Sequence, residues 1–79
     1  MTVPDDTQPW EKKPDETQRA YEVFCVYLEL GPRERSLAKV VEELGKTSGY
    51  VRHLERWSSE YDWVDRAAAH DEHMAKQRR

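Results

Sequence analysis

Apolar side chains return every three or four residues in four stretches of this chain, and glycine, proline or small polar residues separate them. In the first stretch Ala20, Phe24, Tyr27 and Leu28 hold the helical spacing, with Val23 and Leu30 widening the stripe. That helix is expected to begin at Asp15, whose carboxylate can accept the free amide hydrogens of a first turn, with Gln18 in capping-box position. Gly31-Pro32 is expected to end it, since glycine takes a left-handed cap and proline cannot continue the ladder. Arg33-Glu34-Arg35 then reads as a solvated, charged connection.

The second stretch places Leu37, Val40, Val41 and Leu44 at i, i+3, i+4 and i+7 behind Ser36, a good N-cap, and Gly45 closes it. Thr47 and Ser48 are alternative caps for a third helix through Tyr50, Val51, Leu54 and Trp57 toward Tyr61. At about 100° per residue Val51, Leu54, Trp57, Ser58 and Tyr61 share one side of that helix. Gly49, Arg52 and Arg56 point away from it, with His53 on the flank. Two short amphipathic helices joined by a glycine turn form the outline of a helix-turn-helix.

A last helix, capped by Asp62, is expected from Trp63 into the tail, with Trp63, Ala67, His70 and Met74 along one side. Its later turns, Asp71 to Arg79, are so polar that they either fray or continue into an oligomeric contact. The expected architecture is all-α: a small helix-turn-helix bundle of about four helices over residues 15–79, preceded by a flexible, acidic, proline-containing arm over residues 1–14. Trp10 is the exception in that arm, and a large aromatic there is expected to tuck against its own domain. Trp57, Tyr61 and Trp63 are expected to form the core between the last two helices.

Composition narrows the chemistry. At 79 residues the chain is one small domain at most, near the lower limit for a single hydrophobic core. Cys25, the single cysteine, precludes an internal disulfide and a cysteine-based zinc site, and its apolar neighbours point to a buried, reduced thiol in an intracellular setting. No apolar run approaches membrane-spanning length. His70, Asp71 and His73 bring donors within one turn but lack the further ligands of a metal site, and no cofactor is expected. Without a phosphate loop, nucleophile motif or enclosing scaffold, the chain reads as non-enzymatic.

Charge is unevenly distributed. The chain carries 13 basic and 16 acidic side chains, a formal net charge of −3, yet residues 31–58 hold six basic and four acidic ones. This positive segment coincides with the helix-turn-helix, and so small an excess implies weak phosphate binding by each copy and a need for several copies. Lys46, Thr47, Ser48 and Gly49 give the third helix a small, polar amino terminus where free amide hydrogens and the helix dipole favour an anion. Arg52 and Arg56, one turn apart, can reach phosphates or guanine edges, and Tyr50 and His53 can reach bases. The bland alternative is a solvated surface on which Arg52 pairs with Glu55 or Arg56 with Glu60.

Several motifs occur in a familiar order: Trp10-Glu11-Lys12; Thr17-Gln18-Arg19-Ala20-Tyr21 with Phe24; Ser36-Leu37-Ala38-Lys39-Val40 leading to Leu44-Gly45-Lys46; Glu55-Arg56-Trp57-Ser58-Ser59; and Tyr61-Asp62-Trp63-Val64-Asp65-Arg66-Ala67-Ala68-Ala69-His70-Asp71. Over roughly residues 10–73 the chain resembles the amino-terminal helix-turn-helix domain of tailed-phage terminase small subunits and related prophage proteins. The resemblance implies a non-catalytic, ring-forming component of viral genome packaging that recognises double-stranded DNA for a separate large subunit, in the cytoplasm of a bacterial host. It places Lys46, Thr47, Ser48, Gly49, Tyr50, Arg52, His53 and Arg56 in the recognition-helix region, and Ser36 and Lys39 where the preceding helix touches the backbone. Such subunits carry further helices for oligomerisation and a tail for the large subunit. With Arg79 the last residue, the expectation is a DNA-binding domain alone or a short relative put to another use, and a homo-oligomer if the chain is complete.

Two other readings stay open on the sequence. One is a small phage protein that binds and inhibits a host protein or defence complex, which the acidic balance favours. The other is a phage or prophage transcription regulator that binds a short palindrome as a dimer.

Overall fold

Thr17 opens the first helix in the computed structural model, which describes residues 8–77. Its side-chain oxygen accepts the amide hydrogen of Ala20 at 3.1 Å, so α1 spans Gln18–Glu29, and the cap expected at Asp15 moves two residues on. Asp15 lies in the preceding turn, where the Glu16 amide donates to the Lys13 carbonyl at 3.1 Å. The other helices are α2 (Gly31–Glu34), α3 (Leu37–Leu44), α4 (Tyr50–Glu60) and α5 (Trp63–Gln77), and the described residues contain no strand. The fold is all-α as expected, with five helices among the described residues where the sequence reading expects about four.

The extra element is α2. Gly31, at φ +80°, does end α1, but Pro32 then sits in the first turn of a new helix, where its missing amide hydrogen costs nothing. The connection Arg33-Glu34-Arg35 is therefore not wholly a solvated loop. Arg35 turns inward, its Nε donating to the Tyr27 carbonyl at 2.8 Å and Nη2 to the Leu28 carbonyl at 3.0 Å, which satisfies the end of α1. Its other contacts reach Asp71 on α5, at 2.7 Å and 2.9 Å.

Packing follows the apolar stripes. α1 rests on α3 and α5, α4 bridges the same two helices, and α2 closes against α5. Ala20, Phe24, Val40, Leu54 and Trp63 are wholly buried, joined by Val23, Tyr27, Val41, Tyr61 and Ala67. Each large side chain so buried contributes about 1.5–3 kcal/mol. Trp63 is the centre, with ring centroids 5.6 Å from Phe24, 5.4 Å from Tyr27 and 6.4 Å from Trp57. Of the aromatic cluster expected between the last two helices, Tyr61 and Trp63 are core and Trp57 packs half-buried against it, and α1 shares that core.

Residues 8–16 pack along the body. Trp10 is half-buried against α5, 5.5 Å from the His70 ring and 4.8 Å from that of His73. The guanidinium of Arg66 donates to the carbonyls of Pro9 at 2.7 Å and Glu11 at 3.0 Å. Residues 1–7 of the expected arm, and Arg78 and Arg79 of the tail, lie outside the described residues.

Candidate nucleic-acid interface

Ser36 and Gly45 bracket α3 as the sequence requires. The Ser36 hydroxyl accepts the Lys39 amide hydrogen at 3.1 Å. Gly45 takes φ +71°, a left-handed conformation that favours glycine, and its amide donates to the Glu42 carbonyl while that of Lys46 donates to Val41, both at 3.1 Å. These paired bonds turn the chain sharply and leave Lys46, Thr47, Ser48 and Gly49 exposed at the tip.

The start of α4 differs from expectation. Neither the Thr47 nor the Ser48 side chain caps it, because Gly49 occupies the cap position with helical angles, φ −63° and ψ −21°. A backbone turn takes over: the amides of Tyr50, Val51 and Arg52 donate to the carbonyls of Thr47, Ser48 and Gly49 at 3.0, 3.1 and 3.3 Å. The amide hydrogens open to an anion are consequently shifted back. Those of Thr47, Ser48 and Gly49 have no protein acceptor among the described residues.

Along α4 the division of faces is as the spacing demands. Leu54 is wholly buried, Val51, Trp57 and Ser58 are half-buried, and Tyr61 closes the inner side just past the helix. Arg52, His53 and Arg56 are exposed, as are Ser36 and Lys39 on the α3 side, while Tyr50 is half-buried. The described ion pairs are Lys13 with Asp62, Arg35 with Asp71, Arg66 with Glu16 and Lys76 with Glu72. Among the described residues, then, Arg52 has no ion pair with Glu55, Arg56 none with Glu60, and Lys39 and Lys46 are likewise unpaired with carboxylates. Arg35 is neutralised internally, which leaves Arg33, Lys39, Lys46, Arg52 and Arg56 as the exposed cations of this segment.

One feature of this surface was not legible as a unit in the sequence. Lys46, Tyr50, His53 and Trp57 form a continuous line from the turn along one flank of α4. The Lys46 ammonium lies 5.5 Å from the Tyr50 ring centroid, Tyr50 lies 5.3 Å from His53, and His53 lies 4.2 Å from Trp57. The i, i+3, i+4 spacing contained the signal, but the participation of the turn lysine depends on how Gly45 aims the chain.

The remaining candidate groups have structural partners. His70 and His73 pack on Trp10, and Asp71 is held by Arg35. Cys25 is half-buried rather than fully buried, and desolvation pushes its thiol pKa up, against thiolate reactivity. Asp62 serves α5 through its backbone carbonyl, which accepts the Arg66 amide at 3.0 Å, while its carboxylate lies 3.6 Å from the Lys13 ammonium. Among the described residues no helix is long and apolar enough to cross a membrane.

No protein-family model, characterised protein or solved structure matches this chain.

Proposed function

We propose that this chain is a non-catalytic module that binds double-stranded DNA through α4 and the turn before it, as a recognition component of phage genome packaging. One observation carries the DNA reading: Arg52 and Arg56 stand exposed one turn apart on α4, without carboxylate partners among the described residues, beside the exposed Lys46–Gly49 tip. Arginines so placed offer forked donors to guanine edges and phosphates, and the tip carries amide hydrogens with no protein acceptor among the described residues. Lys39 and Ser36, at the start of α3, supply a second backbone contact.

The packaging context comes from the resemblance to terminase small subunits, which adds further copies of this chain and a large terminase subunit as partners. Several copies on one duplex answer the modest charge of each, because their contacts add. The test is a fluorescence-anisotropy titration of the full chain against a random duplex at 50 mM and 200 mM salt. Binding that weakens at the higher salt is the expected result. No binding at 50 mM salt contradicts the proposal.

A further inference from the structure

Two large apolar side chains of the described residues stand in the open, Val64 at 63 % and Met74 at 44 % exposure, and both belong to α5. Val64, Ala68 and Ala75, all exposed, fall within about 40° of one another around that helix and form one outward stripe. Exposed Pro32 of α2 borders it, lining the same hollow as Val64, Ala68 and Asp71. The charge at the middle of the stripe is already matched, since Arg35 holds Asp71 at 2.7 Å and 2.9 Å. Covering this face therefore strands no bare carboxylate there. The end of α5 has little of its own body to rest on, because Met74, Ala75, Lys76 and Gln77 are all exposed. A helical turn so placed is marginal in water, and packing against another surface is what steadies it.

Charge selects that surface. Beside Val64 lies a hollow lined by Leu37, Glu55, Asp62 and Asp65, with three carboxylates and no cation. Of these, among the described residues, only Asp62 has an ion pair, with Lys13 at 3.6 Å. At the other end of the stripe, next to Ala75, stands Lys76, 72 % exposed and 4.0 Å from Glu72, and Arg78 and Arg79 follow it in sequence. One end of α5 is thus acidic and the other basic, with the apolar stripe between them. Such a face complements an antiparallel copy of itself, and a two-fold axis satisfies both ends at once.

We infer that two copies of this chain pair antiparallel through the outward face of α5, Val64 of one against Ala75 of the other, with each Lys76 reaching the Glu55, Asp62 and Asp65 hollow across the axis. This names the surface through which the copies called for by the proposed function meet, and to that extent rests on that reading. The face shares no residue with the proposed DNA surface. From Val64 to Ala75 the stripe spans about 17 Å, so the interface belongs to the small, weak class.

The experiment is sedimentation equilibrium of the full chain at low salt, from about 10 μM to about 500 μM, the range suited to so small an interface. Circular dichroism confirms the fold of each variant. The parent's mass is expected to rise from one chain toward two. Val64→Glu and Ala68→Glu, both at exposed positions, are expected to stay single throughout. Asp65→Lys and Lys76→Asp are each expected to weaken pairing about threefold or more, by the usual worth of an exposed ion pair on each side of the axis. The two together restore opposite charges across the axis and are expected to recover the parent's association. A parallel pair, which sets like charge against like in the parent, would show neither effect. Association that survives Val64→Glu and Ala68→Glu, or a charge swap without recovery, overturns the inference. A parent that stays single yet binds duplex DNA also overturns it and leaves the DNA reading standing. A parent that pairs but binds no duplex overturns the DNA reading and leaves the pairing.

Discussion

Arg66 clasps Glu16 with two parallel hydrogen bonds across fifty positions of sequence, Nη1 to Oε2 and Nη2 to Oε1, both at 3.0 Å. Neither side chain reaches solvent to any extent. The same guanidinium donates to the carbonyls of Pro9, Glu11 and Tyr61 and lies 4.1 Å from the centre of the Phe24 ring. One arginine thus ties residues 8–16 to the corner between α4 and α5. Glu16→Ala would leave that charge buried without its partner, at a cost of about 3–5 kcal/mol. The urea midpoint of the variant should fall steeply, and an unchanged midpoint would refute the assignment of Arg66 as the central polar pin.

Asp71 makes stability depend on acid. Hydrogen bonding from Arg35 holds its carboxyl below the usual value of 3.8. A carboxyl whose folded pKa is depressed contributes stability in full above the unfolded value and loses it as pH falls through the folded one. Asp71→Asn should therefore be about 1–3 kcal/mol less stable than the parent at pH 7, by the worth of hydrogen bonds to charged groups. The two should converge as pH drops below 3.8. Chemical denaturation at pH 7 and at acid pH checks both halves.

Trp10 fastens the start of the described chain to α5. Trp10→Ala removes the ring packed on His70 and His73 and should lower the melting temperature by several degrees, at about 4–8 °C per kcal/mol for a domain of this size. Limited proteolysis should then cut before Thr17 faster than in the parent. Equal cutting rates would show that the arginine contacts alone hold this segment.

Gly45 tests the turn by backbone geometry alone. A methyl group added there meets no atom within 4 Å, so the penalty of Gly45→Ala comes from φ +71°. The expected loss is about 1–2 kcal/mol, the cost of a left-handed residue with a Cβ. A melting curve that superimposes on the parent's would contradict it.

How much of this was legible follows from the range of the interactions. α3, α4 and α5 announce themselves because their stripes are periodic and Ser36 and Gly45 are local stop signals. Arg52, His53 and Arg56 fall outside by the same periodicity. α2 carries no apolar period, and the inward turn of Arg35 depends on Asp71, 36 positions away. Asp15 and Thr17 are both good caps; Thr17 takes the position while Glu16, between them, is turned inward to Arg66, a partner 50 positions away that no local pattern reveals. At the start of α4 the side chains of Thr47 and Ser48 lose to a backbone turn through Gly49, a competition that residue preferences alone do not rank.

On the proposed function, Arg52 and Arg56 meet DNA. The most direct measurement compares duplex affinity and its salt dependence for the parent and the Arg52→Ala, Arg56→Ala double variant, with circular dichroism confirming the fold. Both side chains are exposed, so the fold should persist while affinity falls by about tenfold or more and the log–log salt slope flattens by about 1–2. A folded double variant with the parent's affinity and slope would contradict the account.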